Sequence, residues 1–168
     1  MAWVADVVDP APGERILEVE CGQGRLLALL AERLTTGVVV GIDRSAAMIA
    51  AAARHNREAI EVGRVRLQAA ALADARLGGQ TFDVVVATDV REFWTPPAPE
   101  WDVVGQVLVP EGRVIVAHQL VNGDGEGPIV RTVRALAATR GLELVVVHRG
   151  RTTPTASVAL ELRGRPVA

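Results

Sequence analysis

ILEVECGQG, at residues 16–24, reads as a buried strand that runs into a glycine-bearing turn, and the apolar stripe Leu27, Leu30, Ala31 and Leu34 behind it reads as a helix. Glycines in such a turn reach positive φ and let the backbone come close to a ligand, while the free amides of the next helix favour polar or anionic groups. In a doubly wound sheet, ligands bind at the carboxyl ends of strands where the strand order reverses, and this turn is placed for that. The third glycine of a G-x-G-x-x-G fingerprint is absent, since the run continues Gly24-Arg25-Leu26-Leu27. Taken alone, the turn fits a ligand site and a tight structural turn equally.

Outward from the turn, near-continuous apolar runs predict strands at Arg15–Val19, Val38–Ile42, Val65–Gln68, Phe82–Thr88 and Arg113–Ala117. Between them, helices are predicted over Gly24–Thr35, from the N-cap Ser45 to about Asn56, and over Pro97–Leu108, where Pro110-Glu111-Gly112 ends the last of these. A further helix runs from about Gly127, with Gly141 as its C-cap. Leu142–His148 and Ser157–Leu162 are separated only by RGRTTPTA, and a parallel crossover takes roughly a dozen residues or more, so these strands pair antiparallel. The expected fold is α/β, a single domain over residues 1–168: a doubly wound, seven-stranded, mainly parallel sheet with a terminal antiparallel strand.

Composition removes several chemistries. All 18 basic residues are arginines, and the chain has neither lysine nor tyrosine, so a P-loop, a pyridoxal-phosphate Schiff base and a Tyr/Lys dehydrogenase pair are excluded. A G+C-rich genome is sufficient cause for the arginine bias. Cys21 is the sole cysteine, and His55, His118 and His148 are dispersed, so neither a disulfide nor a metal site is expected. The net charge of −2 is spread without a basic run, which argues against nucleic acid as a partner. No apolar run reaches the ~20 residues of a membrane span, and MAWVADVVDPAPGER carries no secretory pattern, so a cytoplasmic protein is expected.

GIDRSAAM, at residues 41–48, ends the second strand on Asp43, which is placed to accept two ribose hydroxyls or to cap the next helix. Ser45 already supplies the cap, which favours the ribose role. With these residues the chain resembles the class I S-adenosylmethionine (SAM)-dependent methyltransferases over nearly its whole length. The family's motif, acidic residue–x–Gly–x–Gly–x–Gly, falls on Glu18-Val19-Glu20-Cys21-Gly22-Gln23-Gly24. FDVVVATDVREFW is similar to the fourth strand and the loop flanking methyl transfer, VGQVLVPEGRVIVA to the helix, Pro-Gly-Gly turn and fifth strand, and the closing hairpin to the reversed seventh strand.

The resemblance implies SAM as cofactor, a small-molecule methyl acceptor, Asp43 as ribose ligand and Arg44 and Met48 near the adenine. It further implies contacts from Glu18, Glu20, Cys21, Gly22 and Gly24, from Ala70, Ala71 and Leu72 after the third strand, and from Thr88 and Asp89 after the fourth. Two positions depart from the family. Glu20 stands where its first glycine belongs, and Ala70 stands where an aspartate often binds the adenine amino group. Asp74 replaces that aspartate only if the register shifts by about one helical turn. Glu20 either crowds the cofactor or pairs with its cationic part, and obstruction is the expected case. These departures motivate the alternative of a non-catalytic methyltransferase fold that acts as a binding or scaffold domain. A nicotinamide-dinucleotide site is disfavoured by the missing third glycine and by the terminal hairpin.

Weaker candidates stay open. His118 is a general base for a substrate hydroxyl or a structural histidine, and Asp89 faces the transferred methyl or makes a local loop contact. FWTPPAP forms a rim over a substrate, or its Pro97 starts a helix with Trp94 packed on the core. Only about a dozen residues precede the first strand, so a homodimer, a partner protein or a large acceptor is expected to complete the acceptor site.

Overall fold

Successive residues of a strand point to opposite faces, and both faces of β1 (Arg15–Val19) are apolar, so the sheet must be covered on each side. Ile16 faces one cluster with Val39, Val84 and Ile115, and Leu17 and Val19 face another with Val40, Val85 and Val114. The computed structural model describes residues 1–120 and 125–164. The other strands are β2 (Val38–Asp43), β3 (Val65–Ala69), β4 (Phe82–Thr88), β5 (Leu108–Gln119), β6 (Leu142–Gly150) and β7 (Ser157–Gly164), and all seven form one sheet in the order β3-β2-β1-β4-β5-β7-β6. β7 is antiparallel to both neighbours, and every other pairing is parallel, as the sequence predicted.

Residues of α1 (Ala2–Val8), α2 (Arg25–Ala31), α3 (Ala46–His55) and α4 (Arg57–Glu61) join the Ile16 cluster, whereas α5 (Glu100–Val107) and α6 (Glu126–Ala138) cover the opposite face. α2 is pinned by Leu26, Leu27 and Leu30, each at most 1% exposed and each stabilising the fold by about 1.5–3 kcal/mol. The chain steps outward from β1 to β3 and then returns to β4 on the other side of β1, which puts the reversal of strand order between β1 and β4. None of the helices among the described residues is long and apolar enough to cross a membrane.

Several boundaries differ from the sequence reading. α2 ends at Ala31 and not at Thr35, because the amides of Thr35, Thr36 and Gly37 turn to the Pro12 carbonyl, at 2.9, 3.1 and 3.1 Å. α5 starts at Glu100, after the prolines expected to open it, and α6 ends with Thr139 as C-cap, short of Gly141. β5 extends back through Pro110-Glu111-Gly112, expected as a helix terminator, because Leu108 pairs with Phe82 ahead of a register shift. α1 and α4 were not foreseen.

Candidate active site

The loop after β1 carries three residues of left-handed backbone at alternate positions: Glu20 at φ 55, Gly22 at φ 54 and Gly24 at φ 74. Gly22 has open space where a side chain would stand, which leaves its backbone accessible to a ligand. The loop is tied to β2 by Cys21 N–H donating to the Ile42 carbonyl at 2.9 Å and Gly22 N–H donating to Asp43 Oδ2 at 2.8 Å. The other oxygen of Asp43, a residue only 5% exposed, accepts the Ser45 amide at 2.8 Å. Ser45 in turn caps α3 by accepting the Met48 amide. Asp43 is thus held by main-chain donors, and each carboxylate oxygen keeps a lone pair for a further donor such as a sugar hydroxyl.

Beneath the turn, Glu18 is buried at 4% exposure, and its Oε2 has no hydrogen-bond partner among the described residues. Burial, opposed by the Leu27 amide and reinforced by the charge of Asp43, pushes its carboxyl up to about 8, so the site favours the protonated acid. Cys21 is buried beside Gly41, and burial first, with the charges of Glu18 and Asp43 behind it, drives its thiol well upward. A protonated, enclosed thiol is no nucleophile.

Glu20 and Arg44 meet. Arg44 Nε donates to Glu20 Oε2 at 3.2 Å and its Nη2 donates to Glu92 Oε1 at 2.5 Å, which links the loops after β1, β2 and β4. Burial raises the Glu20 carboxyl, with Arg44 opposing, and the bond from Arg44 lowers that of Glu92. Arg44, expected near an adenine, is drawn into this acidic pair. Met48 projects from α3 at 38% exposure. Ala70 follows β3 directly, with its amide on the Asp43 carbonyl at 3.0 Å, so the register keeps an alanine at that strand end. Leu72 turns into the core, Ala71 is half-buried, and Asp74 sits exposed in a 3-10 turn over Leu72–Asp74.

At the ends of β4 and β5 backbone and side-chain contacts mix, and the Asp89 amide donates to the Ala117 carbonyl at 2.9 Å. Asp89, at φ 58, accepts the Gln119 amide at 2.8 Å, and its Oδ1 lies 2.9 Å from His118 Nδ1. Its carboxylate is therefore engaged in tying the two loops together. Trp94 lies against the His118 ring with centroids 4.8 Å apart, while Phe93 and Trp101 are core residues in edge-to-face contact. Beside them is a cavity of about 70 Å³ lined by Trp3 and Val4 of α1 together with Thr88, His118 and Ser157, and Thr88 Oγ1 is buried without a partner among the described residues. The sequence reading missed Glu92 and α1. The Val4, Ala5, Val8 spacing was a usable helical signal for α1, whereas nothing local in VREFW pairs Glu92 with Arg44.

The chain matches the family described as Methyltransferase domain over residues 17–114. It is 34% identical to nocamycin O-methyltransferase of Saccharothrix syringae over 110 residues, 65% of this chain and 39% of that protein. It is likewise 34% identical to trans-aconitate 2-methyltransferase of Streptomyces avermitilis over 135 residues, 77% of this chain and 45% of that protein. The chain thus spans less than half the length of these curated relatives. In fold it is similar to magnesium protoporphyrin IX methyltransferase of Synechocystis with bound SAM, at a TM-score of 0.71 and 21% identity over 98% of this chain and 76% of that one. With the glycine turn, the β2 carboxylate and the reversed β7 in their expected places, the chain belongs to the class I SAM-dependent methyltransferase family.

Proposed function

We propose that this domain binds SAM across the carboxyl ends of β1 and β2 and directs its methyl group to a small-molecule acceptor at the ends of β4 and β5. The observation that carries the reading is Asp43, a nearly buried carboxylate locked by the Gly22 and Ser45 amides beside a glycine turn with open space at Gly22. Such a carboxylate fits a ribose diol, and the turn at residues 21–24 gives its backbone to the methionine part. Arg44 and Met48 flank the adenine, and residues 70–72 offer it main-chain groups. Glu18 is a neutral floor, Glu20 narrows the cleft, and Thr88 and Asp89 border the reacting methyl. Bound SAM supplies a methyl on a sulfonium, an activated leaving group, so positioning of the acceptor provides most of the rate. Relatives named for small-molecule methylation support an acceptor of that class.

A second reading, a non-catalytic domain, is favoured by the Glu20–Arg44–Glu92 ion pairs, which draw together the loops around the proposed cleft. Calorimetric titration with SAM, its demethylated product and NAD separates the two. Saturable binding of SAM and product, without NAD, is the expected result. Binding of none of them would favour the scaffold, and binding of NAD alone would overturn both.

A further inference from the structure

We propose that Asn56, a residue of neither strand end nor loop in the cleft, is a positioning residue for the glycine turn and through it for the cofactor. The inference rests on the reading of that turn as the SAM site. Asn56 stands where α3 ends and α4 begins, 3% exposed, and its Nδ2 donates to the Gly24 carbonyl at 3.0 Å across 32 positions of sequence. The same nitrogen donates to the Ala52 carbonyl at 2.9 Å. Both amide hydrogens are thereby used, and the flipped amide would set its oxygen against two carbonyl oxygens, so the orientation is determined.

The side chain also braces the turn by contact. A Cβ built on Gly24 would lie 2.5 Å from Asn56 Nδ2 and 3.0 Å from the Ala52 Cβ, which leaves room only for glycine at this backbone of φ 74. The Gly24 carbonyl accepts the Ala28 amide as well, at 3.2 Å, so Asn56 joins the turn to the first bond of α2. Asp43 holds the turn at Gly22 from β2, and Asn56 holds it at Gly24 from the helices.

The amide also carries a cost to stability. Asn56 Oδ1 is buried and has no partner among the described residues, a cost that an aliphatic side chain of similar size avoids. What the amide adds is two bonds, one to the Ala52 carbonyl of its own helix and one across to the Gly24 carbonyl of the turn. A ligand that takes its contacts from backbone groups gains affinity when those groups are held before it arrives.

The test measures SAM and product affinity by calorimetry, well below the thermal midpoint, in wild type, Asn56→Leu, the smaller Asn56→Ala, and a control, Val133→Ala, in α6 on the opposite face. Both Asn56 variants are expected to fold and to bind about tenfold more weakly, the effect of one lost hydrogen bond on a preorganised site. The Ala28 amide should exchange faster with solvent in them. The control should lose stability without losing affinity. Wild-type affinity in a folded Asn56 variant overturns the inference and leaves the cofactor reading standing. Loss of the fold in both variants also overturns it, making Asn56 a core residue. Wild type that binds neither ligand removes the cofactor reading, and this inference falls with it.

Discussion

Asp43 and Asp89 stand on either side of β1, at the ends of β2 and β4, and their surroundings differ. Asp43 is enclosed, and the donors on its oxygens are backbone amides of its own loop and of the glycine turn. Asp89 has a side chain 40% exposed, and it ties the β4 loop to β5 through His118 as well as the Gln119 amide, with Trp94 on the imidazole. Main-chain contacts survive changes of side chain nearby, whereas an Asp–His–Trp cluster changes whenever one member does. On the proposed function, the Asp43 side would keep a constant ligand and the Asp89 side would take on different acceptors by substitution.

The contrast is tested most strongly at Glu18. Its folded pKa of about 8 lies above the ordinary 4.5, so between these values the folded chain holds a proton that the unfolded chain has released. Its contribution is fully present below pH 4.5 and is lost as pH rises through about 8. Glu18→Gln should flatten that decline, a difference on the order of several kcal/mol by denaturant unfolding at pH 5 and pH 8. An unchanged slope would mean that Glu18 keeps an ordinary carboxyl in the folded chain.

Next in size, Asp43→Ala should weaken SAM and product by about ten- to a hundredfold, from 1.5–3 kcal/mol of charge-assisted bonding. Asp89→Ala should change the same affinities by roughly threefold at most, within the scatter expected of a surface substitution. Equal losses in the two variants would erase the distinction between the sides.

A smaller effect is expected at Glu20. Glycine there relieves a left-handed conformation worth about 1–2 kcal/mol and gives up a half-exposed ion pair worth about 0–1 kcal/mol, so Glu20→Gly should raise the thermal midpoint slightly. It should also tighten SAM several-fold. Because the product lacks the sulfonium charge, weaker SAM with unchanged product would instead identify Glu20 as a ligand of the cation.

The smallest change is Thr88→Val, which removes a buried hydroxyl with no partner among the described residues. Stability should stay level or rise by up to about 1 kcal/mol, since an unpaired buried polar group costs free energy. A midpoint that falls by several degrees would show that the hydroxyl is already satisfied.

Local chemistry determined much of this protein by itself. Short apolar runs announce strands because both faces of the sheet are covered, ILEVECGQG announces a strand and turn because only such backbone uses glycine that way, and RGRTTPTA is too short for anything but a hairpin. Asp43 was legible for the same reason, as an acid closing a strand beside that turn. Tertiary structure decided the rest. The end of α2 depends on the Pro12 carbonyl, the start of β5 on Phe82, and the partners of Arg44, His118 and Gly24 lie 48, 29 and 32 positions away. Periodicity and turn chemistry act within a few residues, but a hydrogen bond between distant segments exists only once the sheet order has brought the strand ends together, so no window of sequence contains it.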